Sequence, residues 1–575
     1  MKLFSKKWEI FKSNEKLRSF LTRELNISPL LSQLLINRNI ADLKQAKIFL
    51  SASLADLHSP FLMKDMERAV KRIDQALKDG QKIVIYGDYD VDGITGTAIL
   101  FNFLQELGGD CSYFIPEREK EGYGLNLEAL KLLKDKGTRL LITVDCGIGD
   151  FEEVSFAHDQ GMDVIITDHH EIPDRLPPAY AILNPRQKDC SFPFKALAGV
   201  GISFNMIIAL RSYLRDSGHF TNDSPPNLKE YLDLVSLGTV ADMVPLVDEN
   251  RIFVKYGLKL LTEGSRAGIR ALKEVSGLKD VPITTGLIGF RLGPRINAPG
   301  RIDRADEGLR LFITKDPQEA DSLARSLDVK NSKRQQLENE IVKEIKERIE
   351  ADEKFLEKRS LVLSSCNWHP GVIGICASRI VEEYYRPTVL IALDGKKGKG
   401  SARSIEAFHI YNGLKGCERF LEGFGGHKHA AGLTILPEKI DEFEKSFEEI
   451  VSQNLSREDL IPKINIDAEI NLKEVTENLI DDLELLAPFG YSNPEPTFCS
   501  FDLRLYSSMV VGNGHLKMKI KEDGVFYDAI GFNMGNDFPL SDQKIRLAFV
   551  PQFNIYRGIK SIQLRIKDIK IGEEQ

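Results

Sequence analysis

Cysteine is the first scarcity. The chain has seven in 575 residues, Cys111, Cys146, Cys190, Cys366, Cys376, Cys417 and Cys499, with no Cys-x-x-Cys pair. That excludes a disulfide framework and a zinc finger and points to a reducing compartment. Long apolar runs are missing too. The nearest, "ALAGVGISFNMIIAL" from Ala196 to Leu210, is too short to span a bilayer and carries Ser203 and Asn205, so it reads as a buried helix. The amino terminus alternates charged and apolar residues without the apolar core of a signal peptide. A cytoplasmic protein with no membrane association is expected. There is no low-complexity tract and no internal repeat, and positive charge is not in excess, the formal net charge being −8. Indiscriminate coating of nucleic acid is therefore disfavoured, while a local basic channel beside an acidic metal site stays open.

What the chain does have is an ordinary globular balance, 42% apolar and 28% charged residues, over a length that implies about three or four domains. Residues 1–75 read as a helical extension, with "ADLKQAKIFL" and "MKDMERAVKRIDQALKDG" carrying apolar residues at helical spacing. Residues 76–327 begin with short β-branched strands (83–86, 140–144, 164–167) alternating with helical stretches (95–107, 151–160), the pattern of a parallel α/β sheet. Residues 328–359 hold no Gly or Pro and set Leu337, Ile341, Ile345 and Ile349 on one stripe, predicting a long exposed connecting helix. A second α/β segment covers 360–455, and 456–575 reads as a small all-β barrel of short alternating strands with Gly, Asn and Asp turns. The fold class is thus α/β in two lobes joined by a helix, with a carboxyl-terminal barrel.

In parallel sheets ligands bind beyond the carboxyl ends of the strands, and three strands here end in acids or histidine: "GDYDVDG", "VDCGI" and "TDHHEIP". Asp88, Asp90 and Asp92 alone read equally well as a solvated turn. Joined by Asp145, by Asp168, His169 and His170, and by Asp242 in "GTVADMVPL", they read as a metal cradle, because uncompensated carboxylates in a partly desolvated cleft cost several kcal/mol. Carboxylates with one or two imidazoles suit Mn²⁺ or Mg²⁺, and two such ions about 4 Å apart serve phosphoryl transfer.

Those four motifs, in that order, closely resemble the DHH phosphoesterase family. "FIPEREKEGYGLN", "RLGPRINAPGRID", "GKGSARS", "GFGGHKHAAG" and "APFGYSNPEP" narrow the resemblance to its single-strand-specific 5′-to-3′ DNA exonucleases, over nearly the full chain. The resemblance implies metal ligation by Asp90, Asp92, Asp145, His169 and Asp242, with Asp88, Asp168 and His170 as ligands or close supports; His170 either orients the phosphate or protonates the leaving group. It implies two ions, Mn²⁺ or Mg²⁺. Ser401, Arg403 and Ser404 would form a pocket for a terminal 5′-phosphate, with Gly425, Gly426 and His427 presenting backbone N–H groups and a ring to phosphate. Arg295 and Arg301 are further backbone contacts, each with a structural salt bridge as its alternative. The barrel resembles an OB-fold, in which Tyr491, Phe526, Tyr527, Phe553 and Tyr556 are candidates to stack bases, with barrel core as the alternative for most of them, and Lys517, Lys519 and Lys521 are candidates to line one face, with a solvated edge as theirs.

The implied activity is stepwise release of 5′-mononucleotides from a single strand threading between the lobes, in DNA repair and recombination, by a monomer working with a single-strand-binding protein and a helicase. Phosphodiesterases of short oligoribonucleotides or cyclic dinucleotides, and a non-catalytic replication scaffold, are the competing readings. Three positions depart from the family pattern. Asn39 and Ser492 stand where glycine is usual, and Pro299 stands where alanine is common.

Overall fold

The computed structural model describes residues 6–117, 121–220, 224–302, 305–352, 354–535, 543–556 and 558–571. The chain divides into two compact units, Lys44–Ser332 with Leu486–Pro494, and Met1–Leu43 with Lys333–Leu485 and Glu495–Gln575.

The first unit is built on five parallel strands in the order Cys111–Phe114, Ile83–Gly87, Leu140–Val144, Asp163–Thr167, Ala181–Leu183. Ile83–Gly87 and Leu140–Val144 are buried at every position, as strands covered on both faces must be, which explains why they read as unbroken apolar runs. Val91–Glu106 and Gly199–Asp216 are nearly as buried and pack in one extensive core cluster with the sheet. The segment "APFGYSNP" belongs here although it lies far along the chain. Buried Arg251 donates to the Leu486 carbonyl at 2.8 Å, and the Leu246 N–H to Tyr491 O at 2.8 Å.

The second unit holds a mixed five-stranded sheet, Leu421–Gly426, Ala430–Ile435, Gly398–Arg403, Thr388–Leu393, Leu361–Ser365, and a barrel. Phe498–Val511, His515–Glu522, Val525–Gly531, Ile559–Ile571 and Lys544–Tyr556 pair in succession, and the last returns to the first, closing five strands into one cylinder. Closure removes the exposed edge that an open sheet of this composition would present.

Two expectations need correction. The connecting helix runs Pro317–Ala351, passing from the first unit into the second, and it is not exposed along its apolar stripe: Ile341, Ile345 and Ile349 are buried in a cluster with Leu361 and Ile380. One stripe on an otherwise charged helix is what a surface helix buries against a sheet. The amino-terminal region is not wholly helical either, since Lys7–Ile10 is a strand paired in parallel with Lys463–Ile466. Its Trp8 indole N–H reaches Asp568 Oδ2 at 2.8 Å.

Candidate metal centre

Strand order places the site. The chain adds Cys111–Phe114 on one side of the first strand and Leu140–Val144 with the later strands on the other, so the connections reverse between Ile83–Gly87 and Leu140–Val144, and such a switch point leaves a crevice at the carboxyl ends. Register then aligns the acids. Gly87 pairs with Val144, Val144 with Thr167 and Thr167 with Leu183, so Asp88, Asp145 and Asp168 follow on adjacent rungs. The ladder continues one bond further, from Asp88 N to Val144 O at 3.1 Å, Asp145 N to Thr167 O at 2.9 Å and Asp168 N to Leu183 O at 3.1 Å.

The remaining acids come from helix ends. Asp90 caps Val91–Glu106, its Oδ1 accepting from the N–H groups of Asp92 and Gly93 at 2.8 and 3.1 Å. Asp92 lies in the first turn of that helix and accepts from Gly199 N at 2.6 Å and Val200 N at 2.9 Å, so it also sits on the positive end of Gly199–Asp216. Only glycine admits this approach: a Cβ at Gly199 would lie 2.9 Å from Asp145 Cβ and 3.0 Å from Asp92 Oδ2. Asp242, by contrast, is the C-cap of Leu232–Ala241, a carboxylate at the negative end of a helix. A cation is what such a placement calls for.

Donor atoms converge in three overlapping sets, each within 4.8 Å: Asp88, Asp90 and Asp145; Asp92, His169 and Asp242; Asp145, His169 and His170. His169 Nε2 lies 3.1 Å from Asp145 Oδ1, 3.5 Å from Asp242 Oδ2 and 4.0 Å from Asp92 Oδ2. These are not ion pairs, because burial and then His170 hold the His169 ring down at about 3, leaving it neutral. Its Nε2 faces the carboxylates, the orientation of a ligating imidazole.

Burial and then Asp90 push the Asp92 carboxyl up to about 7 despite its two backbone donors. Asp145 and Asp242 rise well above the usual range, through burial and then the neighbouring aspartates. Asp145 Oδ1 and Asp242 Oδ2 are buried with no hydrogen-bond donor among the described residues. Oxygen-rich donors held in mutual repulsion, with orphaned oxygens aimed inward, fit hard divalent cations.

Asp168 does a different job. It accepts from Ile148 N and His170 N, both at 3.0 Å, and its Oδ1 is 2.8 Å from His170 Nδ1. Burial opposes its charge, but the His170 bond and charge outweigh it and hold this carboxyl below the usual range; the same pairing raises His170 against its own burial. A carboxylate on Nδ1 fixes the tautomer and leaves Nε2 for chemistry.

Sequence reasoning assigned no role to Tyr123 or Asn297. The Tyr123 hydroxyl donates to the Asp145 carbonyl at 2.9 Å and lies 3.1 Å from His170 Nδ1. Asn297, within "NAPGR", accepts from Val91 N at 3.0 Å and braces the first acidic turn. Both stand inside quoted motifs, which was the available signal.

The phosphate candidates of the second unit gather in part. Arg403 Nη1 donates to Ser401 Oγ at 3.1 Å, and both lie against the first turn of Ile373–Tyr384, where a Cβ on Gly374 would be 3.0 Å from Arg403 Nη2 and from Ser401 Oγ. Guanidinium, hydroxyl and helix N-terminus together suit phosphate. Ser404 is committed elsewhere, its hydroxyl donating to Phe408 O at 2.9 Å. Gly425 and Gly426 lie in strand Leu421–Gly426, paired with Gly432 and Ala431, rather than in a phosphate-cradling turn; exposed His427 follows. In the first unit Arg295 Nε pairs with Asp328 at 2.9 Å and its Nη1 donates to Arg291 O at 2.7 Å, so the salt bridge read as its alternative is formed. Arg301 is half-buried in Pro299–Ile302.

On the barrel, Lys517 and Lys519 are exposed and Lys521 half-buried, with Lys521 Nζ 5.5 Å from the Phe526 ring centroid. Exposed Tyr506, which sequence reasoning passed over, meets Phe526 edge-on at 4.9 Å. Tyr491 is exposed in the first unit, Tyr527 and Phe553 are half-buried, and the Tyr556 side chain lies outside the described residues.

A parallel sheet with acids and histidines on adjacent strand ends, a second α/β lobe and a closed barrel define a DHH-type metal-dependent phosphoesterase. Residues 82–239 match the DHH family, N-terminal domain, 358–453 the DHHA1 domain and 466–568 the RecJ OB domain. The chain is 38% identical over 575 residues to the single-stranded-DNA-specific exonuclease RecJ of Bacillus subtilis (strain 168), covering 99% of this chain and 71% of that one. It superposes on RecJ of Thermus thermophilus in complex with Mn²⁺ with a TM-score of 0.83 at 29% identity, covering 99% of this chain and 80% of that one. On the Mg²⁺ complex of that protein the TM-score is 0.78 at 28% identity, over 99% and 79%. The chain belongs to the RecJ family of the DHH phosphoesterases.

Proposed function

We propose that this chain is a single-stranded-DNA-specific 5′-to-3′ exonuclease that releases 5′-mononucleotides by two-metal-ion hydrolysis and acts in DNA repair and recombination. The observation that carries the reading is the convergence of Asp88, Asp90, Asp92, Asp145, His169 and Asp242 at one strand-end crevice, in a chain that also matches the RecJ OB domain. Bound there, two Mn²⁺ or Mg²⁺ ions would supply Lewis acidity for activating water and neutralising the leaving oxygen.

The chain's own residues divide the remaining work. Asp88, Asp90, Asp92, Asp145, His169 and Asp242 would hold the ions; Asp145 belongs to two of the three donor sets, one with Asp88 and Asp90 and one with His169 and His170. Asp168 holds His170 so that Nε2 faces outward, to orient the phosphate or hand a proton to the departing 3′ oxygen. Ser401 and Arg403 take the 5′-phosphate of the strand at the helix N-terminus beside Gly374. Tyr506, Phe526 and Lys517, Lys519 and Lys521 offer the barrel's surface for stacking and backbone contact. Residues 76–327 cut, 360–455 hold the strand end and 456–575 hold the strand. A helicase and a single-strand-binding protein would supply such a substrate to a cytoplasmic monomer. No helix among the described residues is long and apolar enough to cross a membrane.

The test compares 5′-labelled single-stranded DNA, duplex DNA, short RNA and a cyclic dinucleotide, each with Mn²⁺, Mg²⁺ or chelator. Shortening of the single strand from its 5′ end with metal alone is expected. A chain that leaves it intact with either metal is not this enzyme.

A further inference from the structure

The acidic centre poses a problem for its substrate: a polyanion must approach a crevice crowded with aspartates in a chain of net charge −8. The segment after the histidine pair answers it. Asn184 Nδ2 donates to the His170 carbonyl at 2.9 Å and its Oδ1 accepts from Arg186 N at 2.9 Å, while further along Gly199 N donates to Asp92. The intervening chain is thus clamped to the centre at both ends. Beside it lies an open cavity of about 430 Å³ whose lining includes Arg186, Lys188 and Lys195 against a single carboxylate, Glu171. All three cations are exposed. The neighbouring Asp189 does not offset them, since Lys64 pairs with it at 2.7 Å.

We propose that Arg186, Lys188 and Lys195 form a basic groove flanking the metal centre that holds backbone phosphates of the single strand as it enters for cleavage. The inference rests on the nuclease reading above. Arg186 does bond Glu171, but both ends of that pair are solvated, so the guanidinium can exchange a carboxylate for a phosphate at little cost. Lys195 Nζ uses one donor on Cys190 O at 2.8 Å and keeps two for an anion. Three cations on one wall, facing a single solvated carboxylate and next to a phosphodiester-cleaving site, have a polyanion as their natural ligand.

The test uses the full chain with R186Q, K188Q and K195Q combined, and a control, K229Q with K259Q and K279Q, that removes the same charge from exposed positions elsewhere on the same unit. Binding of fluorescein-labelled single-stranded DNA is measured by anisotropy in chelator across a salt series, and steady-state cleavage with Mn²⁺. Loss of three phosphate contacts should flatten the slope of log K against log salt by about 2, at roughly 0.7 per contact on a single strand, and raise KM with kcat nearly unchanged. The control should keep the wild-type slope. A groove variant with wild-type slope and KM, or a control that loses as much, overturns the groove while the nuclease reading stands. A wild-type chain that cuts no single-stranded DNA overturns both.

Discussion

Tyr123→Phe removes one oxygen and tests whether the metal centre depends on a group that touches no metal. Asp145 sits at φ 61°, a left-handed conformation that costs a non-glycine residue roughly 1–2 kcal/mol. Its carbonyl is held there by the Tyr123 hydroxyl, and the same oxygen stands 3.1 Å from His170 Nδ1. The tyrosine is itself fixed. Gly122 and Gly124 on either side have φ of 82° and 87°, the Gly124 carbonyl accepts from Tyr86 Oη at 3.1 Å, and Leu125 N donates to Asp150 at 2.7 Å. Because the ring is half exposed, water can replace the lost bond, so the stability change should be small: about 1 kcal/mol, or roughly 2 °C for a unit of this size. The effect on the centre should be larger, since removing an outer partner of a metal ligand typically costs about 10–100-fold in metal affinity. Mn²⁺ titration by calorimetry, with single-turnover cleavage at saturating Mn²⁺, reads the two separately. We expect at least tenfold weaker Mn²⁺ binding and slower cleavage beside a nearly unchanged melting temperature. Unchanged Mn²⁺ affinity and rate would refute the argument and reduce Tyr123 to a loop brace.

Three further outcomes follow from the same geometry. Asp145→Asn should melt higher than wild type in chelator, because one of the repelling buried charges is gone, yet lose the gain of about 2.7 kcal/mol that Mn²⁺ at a hundredfold excess over its Kd gives the wild type; thermal scans with and without Mn²⁺ decide it. Arg295→Ala should lower the melting temperature through the lost Asp328 pair while leaving the salt dependence of DNA binding untouched, and a flatter salt slope would restore Arg295 as a phosphate contact. Burial raises Glu249 from 4.5 to about 7, so the folded chain holds a proton there that the unfolded chain releases, and stability from this group is present below pH 4.5 and lost as pH rises through 7. Glu249→Gln should cancel a loss of about 2–3 kcal/mol across that window, seen as a melting temperature that falls less between pH 5 and 8 than the wild type's.

The parallel sheet and its acids were legible because each is a local pattern: an apolar run whose length and β-branching mark a buried strand, then a carboxylate just past it. Convergence was legible only through strand order, which periodicity does not encode but which the parallel α/β pattern narrows. The exposed reading of the connecting helix failed for a related reason. A single apolar stripe on a charged helix specifies that something covers it, not what does, and the sheet that buries Ile341, Ile345 and Ile349 is formed by later residues. The two positions where this chain departs from a usual glycine were informative in retrospect. Asn39 and Ser492 have φ of 60° and 61°, so the left-handed turn survives the substitutions, readily for asparagine and at some cost for serine.

What stayed hidden in the sequence are the groups whose role depends on position in space alone. Arg186, Lys188 and Lys195 are three cations among 77, and nothing in "NPRQKDCSFPFK" separates them from a solvated surface until Asn184 is seen bonding the His170 carbonyl. Arg295 shows the converse, a cation inside a recognisable motif whose charge is spent on Asp328. The motif acids thus gather at one crevice while a motif base such as Arg295 pairs with a nearby acid, and the physical reason is asymmetric. A cluster of like-charged carboxylates is costly enough that only a cation explains it, whereas a lone arginine is satisfied by any nearby acid or by water. Electrostatic frustration marks this centre more sharply than complementarity does. The residues that relieve it must be sought around the crevice, where a net negative chain turns locally positive.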